Sequence, residues 1–178
     1  MSSQSLWVWR DFLRGGQADG AVKMPSRNLL IVAHAPSSNT ECLRDAVFKG
    51  ARNSDVSGVV VRMLSPLKAG PEDVLAAHAV ILGTTENLGY MSGALKDFFD
   101  RSYYPCLEYT QALPYALYIR AGQDGTGTLR AVETIVTGLK WRAVQDPLIC
   151  RGEWRDSFVD QCEELGMAVA LGLEAGVF

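Results

Sequence analysis

From Leu29 onward the chain alternates between two kinds of hydrophobic pattern, and this alternation restricts its fold more than any other feature. Short apolar runs recur: "LLIVA" (29–33), "GVVVRML" (58–64), "HAVILG" (78–83) and "YALYIRA" (115–121). Their near-continuous Val, Ile and Leu content is what a strand buried on both faces requires. Between them lie segments with apolar residues at helical spacing. Thr40–Arg52 sets Leu43, Ala46, Val47 and Ala51 on one face. "PEDVLAA" opens with Pro71 at a first helical position and two acids in the first turn. Ser92 is placed as the N-cap of "GALKDFFDR", whose Leu95, Phe98 and Phe99 face inward. Leu129, Val132, Ile135, Val136 and Leu139 mark a further helix. A fifth strand is expected within Trp141–Cys150, interrupted or ended near Pro147. The last helix, from about Arg155 to Glu174, carries Phe158, Cys162, Leu165, Val169 and Leu173 as its buried stripe.

Strands that each lead into a helix imply an α/β fold, with a parallel sheet covered on both faces. Right-handed crossovers leave two common layouts, and five units match the five-stranded order 2-1-3-4-5. In that layout a ligand lies beyond the carboxyl ends of the strands, where the order reverses between strands one and three. Three loops converge there: Ala33–Thr40, Thr84–Gly93 and Gly122–Thr128.

The first loop, "AHAPSSNTE", ends at a helix N-terminus, where unpaired backbone N–H groups and the helix dipole favour an anion. Ser37, Ser38, Asn39 and Thr40 add side-chain donors, and no Lys or Arg lies between Asn28 and Glu41. A monophosphate suits this arrangement better than a triphosphate; a helix cap with spare hydroxyls is the other reading. Neither GxxxxGK[ST] nor GxGxxG occurs. The second loop sets Gly89 beside Tyr90, so backbone can approach a planar ligand and a ring can stack on it. The third loop, "AGQDGTGT", holds Gly122, Gly125 and Gly127, which expose N–H groups to a carbonyl-rich ring edge, or else form a plain surface loop.

The chain of 178 residues fits one domain, and a formal net charge of −3 gives no ground for a nucleic-acid or membrane partner. So weak a charge also disfavours a pure electron carrier, which steers to its partners by charge. Cys42, Cys106, Cys150 and Cys162 are widely spaced, with no CxxC and no metal-ligand spacing, which suits reduced thiols in a cytoplasmic protein. Residues 1–27 read as an N-terminal extension, disordered in part, and 28–178 as a single domain. Leu6–Trp9 is too short for a signal-peptide core, and Trp7, Trp9, Phe12 and Leu13 would form one amphipathic turn.

"GTTENLGYMSGALKDFFDR" (83–101) resembles the GTPxYxGxMSGxLKxFxDR segment of flavodoxin-like FMN reductases and quinone reductases. "APSSNTE" resembles the flavodoxin phosphate loop. The resemblance runs from about Leu29 to the C-terminus and implies a flavodoxin-like fold with FMN at the strand ends. Carried over by position, Ser37, Ser38, Asn39 and Thr40 would hold the FMN phosphate. Thr85, Glu86, Asn87, Leu88, Gly89 and Tyr90 would run along the isoalloxazine ring, with Thr84 a weaker candidate. Gly122, Gln123, Asp124 and Gly125 would line its other edge. Three positions depart from the pattern: Ser38 replaces the usual Gly, Thr85 the usual Pro, and Asn87 a common aromatic. Glu86 adds an acid near the ring, where it would disfavour a reduced anionic flavin. The activity implied is NAD(P)H-dependent FMN oxidoreduction toward a quinone, a flavin or a similar small-molecule acceptor. No protein nucleophile or metal is expected, and a homo-oligomer is common in such enzymes. The alternatives are an FMN-binding electron carrier and a flavin-free interaction module.

Overall fold

The computed structural model describes residues 26–178. The expectations for the N-terminal extension fall outside them, except that the first strand begins at Arg27, one residue inside the expected extension. In chain order the elements are β1 (Arg27–Ala33), α1 (Ser38–Ala51), β2 (Val59–Leu64), α2 (Pro71–Leu75), β3 (Ala79–Asn87) and β4 (Tyr90–Met91). They continue with α3 (Gly93–Leu107), β5 (Pro114–Ala121), α4 (Thr126–Gly138), β6 (Arg142–Ala143), β7 (Leu148–Arg151) and α5 (Ser157–Glu174). The order across the sheet is β2-β1-β3-β5, followed by β6 and β7, which both pair with β5. Every one of these pairings is parallel. The expected five-stranded layout therefore stands, with its last strand delivered in two short pieces around Pro147, a residue with no N–H for a ladder.

Successive residues of β1 point to opposite faces, as strand geometry requires. Leu30 and Val32 pack with Val80, Leu82, Leu117 and Ile119 under α2, α3 and α4. Leu29, Ile31 and Ala33 pack with Ile81, Ala116 and Tyr118 under α1 and α5. The central strands β1, β3 and β5 thus meet largely apolar layers on both faces, which explains why they read as continuous hydrophobic runs rather than alternating ones.

Helices α1 and α5 cross at two glycines. A Cβ on Gly50 would strike the Glu163 carbonyl, and one on Gly166 would strike the Val47 carbonyl. At the other layer, Arg101 on α3 does more than decorate a solvated face. Its guanidinium pairs with Asp97 at 2.8 Å and donates to the carbonyls of Ala69 (2.8 Å) and Pro66 (2.7 Å), pinning the β2–α2 connection. On the edge strand β2, Arg62 pairs with Asp73 at 2.8 Å. All four cysteines are free thiols: Cys42 is exposed, the other three are buried. Among the described residues no helix is long and apolar enough to cross a membrane.

Candidate functional site

The sheet order reverses between β1 and β3, so their carboxyl ends and that of β5 frame one crevice. The three loops singled out in the sequence all start there, after Ala33, within β3 and after Ala121.

The first loop is held to its neighbour by the His34 N–H, which donates to the Gly83 carbonyl at 3.0 Å and so extends the β1–β3 ladder. Ser37 is the N-cap of α1, in extended conformation. Its N–H donates to Thr40 Oγ1 at 2.9 Å, and the two hydroxyls lie 3.1 Å apart. The Thr40 hydroxyl in turn donates to the Ser37 carbonyl at 2.8 Å, and Thr40 is buried. Thr40 is thus committed to closing the helix start. Ser38 and Asn39 are exposed on the first turn. The first intrahelical bond is made by the Glu41 N–H, so the Ser38 and Asn39 N–H groups before it are without an intrahelical partner. The Ser37 and Thr40 hydroxyls serve the helix cap, and the Ser38 hydroxyl and the Asn39 amide face solvent. Burial lowers the His34 imidazole below its ordinary pKa, and its Nδ1 is enclosed with no hydrogen-bond partner.

The second loop is a hairpin that the sequence pattern did not reveal. β3 continues past Gly83 to Asn87 and pairs antiparallel with β4, Glu86 opposite Met91 and Asn87 opposite Tyr90. The turn residues Leu88 (φ 52°) and Gly89 (φ 73°) are both left-handed, as a tight two-residue hairpin needs. Leu88 is a poor residue for that conformation, and its side chain is fully exposed. The hairpin base is fixed by Thr84, whose Oγ1 accepts the Ser92 N–H at 3.1 Å, while Ser92 Oγ caps Leu95 N–H at 3.2 Å. Thr84 and Ser92 are buried, so Thr84 is a structural residue rather than a ligand group. Thr85 donates its hydroxyl to Asn87 Oδ1 at 2.7 Å.

The third loop is tied to the second. Glu86 Oε2 accepts the Gln123 N–H at 2.8 Å and Oε1 accepts the Gly125 N–H at 3.1 Å. Gly125 is left-handed (φ 74°), and with its neighbours it forms a concavity of backbone donors that suits an anion. The resident carboxylate of Glu86 fills it. Asp124 Oδ1 accepts the Thr126 N–H at 2.9 Å and starts α4. The hairpin also leans on α4: a Cβ on Gly127 would strike the Gly89 carbonyl. Behind the loop, Arg120 donates to the carbonyls of Cys150 (3.0 Å) and Gly152 (2.7 Å), a brace hidden within an apolar strand pattern.

The fourteen candidate residues lie in two groups, on the loops that follow or extend β1, β3 and β5 at their carboxyl ends. Ser37, Ser38, Asn39 and Thr40 stand at the α1 N-terminus; Thr85–Tyr90 and Gly122–Gly125 form a bonded pair of loops. Around Gly89, Gly93 and Gly122 there is open space where a side chain would stand. A cleft of about 420 Å³ lies elsewhere, at the start of β7 against α5, with Asp146 and Glu164 and no cation in its wall.

No protein-family profile matches the chain. A flavodoxin from Aquifex aeolicus (strain VF5) is 33% identical over 72 residues, which is 40% of this chain and 38% of that relative. Among solved structures, a flavodoxin from the domain Archaea superposes with a TM-score of 0.70 at 17% identity, covering 82% of this chain and 98% of its own. A flavodoxin, WrbA-like protein from Agrobacterium tumefaciens gives 0.66 at 19% identity, covering 84% and 99%. The flavodiiron protein from Giardia intestinalis gives 0.68 at 14% identity, covering 86% of this chain and 37% of its own. With the strand order and the loop positions described above, these likenesses identify the architecture of this chain as the flavodoxin-like fold.

Proposed function

We propose that the chain is an FMN-dependent oxidoreductase that takes electrons from NAD(P)H and passes them to a quinone, a flavin or a similar acceptor. The observation that carries this reading is the crevice itself: an anion-favouring helix start on one side, and two mutually bonded, glycine-containing loops on the other. The fit to FMN is supported at the phosphate end by exposed Ser38 and Asn39 and by first-turn N–H groups without an intrahelical partner. It is supported at the ring end by the open space at Gly89 and Gly122 and by the exposed faces of Leu88 and Tyr90. In this reading Ser37, Ser38, Asn39 and the Thr40 N–H orient the phosphate. Leu88, Gly89 and Tyr90 flank the ring, and Gly122–Gly125 meet its polar edge. FMN, when bound, supplies the electron-accepting chemistry; the protein supplies binding, orientation and electrostatics. The Glu86 carboxylate stands on the edge donors and sets the charge that the ring edge meets.

The stretch that is one-third identical to a flavodoxin favours a second reading, an FMN-binding electron carrier. One spectroscopic experiment separates the two. The purified chain is loaded with FMN, freed of excess, and its visible spectrum followed on adding NADPH or NADH. Retained absorbance that bleaches within seconds supports the reductase, and retained absorbance that does not bleach supports the carrier. A folded protein that retains no FMN overturns both.

A further inference from the structure

Beside the hairpin, on the outer face of the molecule, a groove of about 300 Å³ runs between α3 and α4. Tyr90 stands at its head, Lys96 on one wall, and Arg130 and Thr134 on the other. It continues into a second hollow of about 200 Å³ that shares Lys96 and ends at Tyr104. Along α4, from Gly127 to Ile135, the groove extends about 12 Å at the rise of a helix. Its volume lies within the range of small-ligand sites.

The charges in this groove are unbalanced. Lys96 pairs with Asp100 at 2.5 Å, an exposed pair of adjacent turns. Arg130 has no ion-pair partner among the described residues. Two cations thus line one cleft against a single carboxylate, on a chain whose net charge is −3. With Lys96 answered by Asp100, Arg130 leaves the groove one uncompensated positive charge, which favours an anion beside it. The aromatic surfaces at either end, Tyr90 (44% exposed) and Tyr104 (79% exposed), add stacking platforms for a planar base. The Thr134 hydroxyl donates to the Arg130 carbonyl at 2.8 Å, which leaves its oxygen free to accept from a sugar hydroxyl.

We propose that the α3–α4 groove binds the adenylate half of a nicotinamide dinucleotide, with Arg130 on the phosphates. Tyr90 belongs both to the groove and to the hairpin that borders the crevice, so a dinucleotide seated in the groove has its other end directed to the crevice mouth. This rests on the reading that a nicotinamide dinucleotide is the electron donor. It adds a binding site that the three loops do not contain.

The test uses ADP as the probe, titrated into the full chain and followed by calorimetry and by amide chemical shifts. ADP is expected to bind once per chain, with shifts at Tyr90, Lys96 and Thr134. Arg130→Glu is expected to weaken it at least tenfold and Arg130→Lys to restore it in large part. In steady state, Arg130→Glu is expected to raise KM for the dinucleotide at least tenfold. KM for reduced nicotinamide mononucleotide, which lacks the adenylate, should move less than twofold. No ADP binding, binding that is indifferent to Arg130→Glu, or an equal rise in both KM values would overturn the groove assignment. Dinucleotide oxidation with an unchanged KM in Arg130→Glu removes the groove and keeps the reductase. ADP binding in the groove without any dinucleotide oxidation keeps the groove and removes the reductase.

Discussion

The carboxylate of Glu86 spans the gap to the loop after β5, taking the Gln123 N–H at 2.8 Å and the Gly125 N–H at 3.1 Å. Two loops whose closest bonded positions, 86 and 123, are 37 residues apart are thereby joined into one wall. Charge-assisted bonds of this kind are shorter and stronger than neutral ones.

Replacing Glu86 by Ala should release both amides. The expected result is faster hydrogen exchange at Gln123 and Gly125 and a loss of about 1–3 kcal/mol in denaturant unfolding, from two charge-assisted bonds. Exchange rates at these two amides that match the unsubstituted protein would mean the latch does not hold in solution. Glu86→Gln keeps the shape and removes the charge. In FMN-loaded protein it should move the midpoint potential upward, because a carboxylate at the ring edge disfavours the reduced, anionic ring.

Leu88 sits in the left-handed region at φ 52°, next to Gly89 at 73°. Asn tolerates that conformation, and Asn-Gly is the preferred pair for a two-residue hairpin. Leu88→Asn should therefore stabilise the protein by about 0.5–1 kcal/mol. The same change removes an apolar, solvent-facing side chain from the hairpin tip and should weaken FMN retention. Thermal unfolding and flavin titration on one variant read both effects, and tighter FMN binding would remove Leu88 from the ring contacts.

The α1–α5 crossing has no room for a methyl group at Gly50 or Gly166, because backbone carbonyls stand in the way. Gly50→Ala or Gly166→Ala should cost about 1–3 kcal/mol, as overpacking does. Gly93→Ala is the control, since nothing lies within 4 Å of the added methyl. Denaturant midpoints for the three variants check the ordering.

His34 has its pKa lowered by burial, so the folded state takes up its proton less readily than the unfolded chain. Its contribution is complete above the ordinary imidazole value of 6.5. Stability should then fall as pH drops below that value and level off once pH is under the folded pKa. His34→Gln should flatten this part of the stability profile between pH 7 and about 5. An unchanged slope would assign it to other groups.

The fold was legible because β1, β3 and β5 are buried on both faces, so "LLIV", "AVIL" and "YALYI" carry no competing polar signal, while the edge strand β2 is marked by its β-branched "VVV" alone. The crevice was legible for a related reason: topology alone brings the three loops together, whatever their side chains do. The hairpin at Asn87–Tyr90 was not. Leu88 is an unlikely residue for a left-handed turn, and β4 is only two residues long, below any periodic signal. The division of labour among the loop hydroxyls was hidden as well. Thr40 and Thr84 look like Ser38 in sequence, and only burial distinguishes a hydroxyl that caps a helix from one that faces solvent. Helix α3 continues to Leu107, beyond Arg101, and carries Pro105 in its last turn at the loss of one i→i−4 hydrogen bond, so a proline in the sequence does not mark its end.

The broken last strand has a consequence for how the molecule behaves at high concentration. A sheet invites a neighbour to add a strand wherever a long row of backbone groups lies open. On the β7 side the row is cut into pieces of two and four residues, with Pro147 just before the second. No partner strand finds there a template long enough to register against. On the β2 side, the Arg62–Asp73 pair places charge at the rim. The architecture thus guards both margins of its sheet against self-templated fibre growth, by interruption at one and by charge at the other.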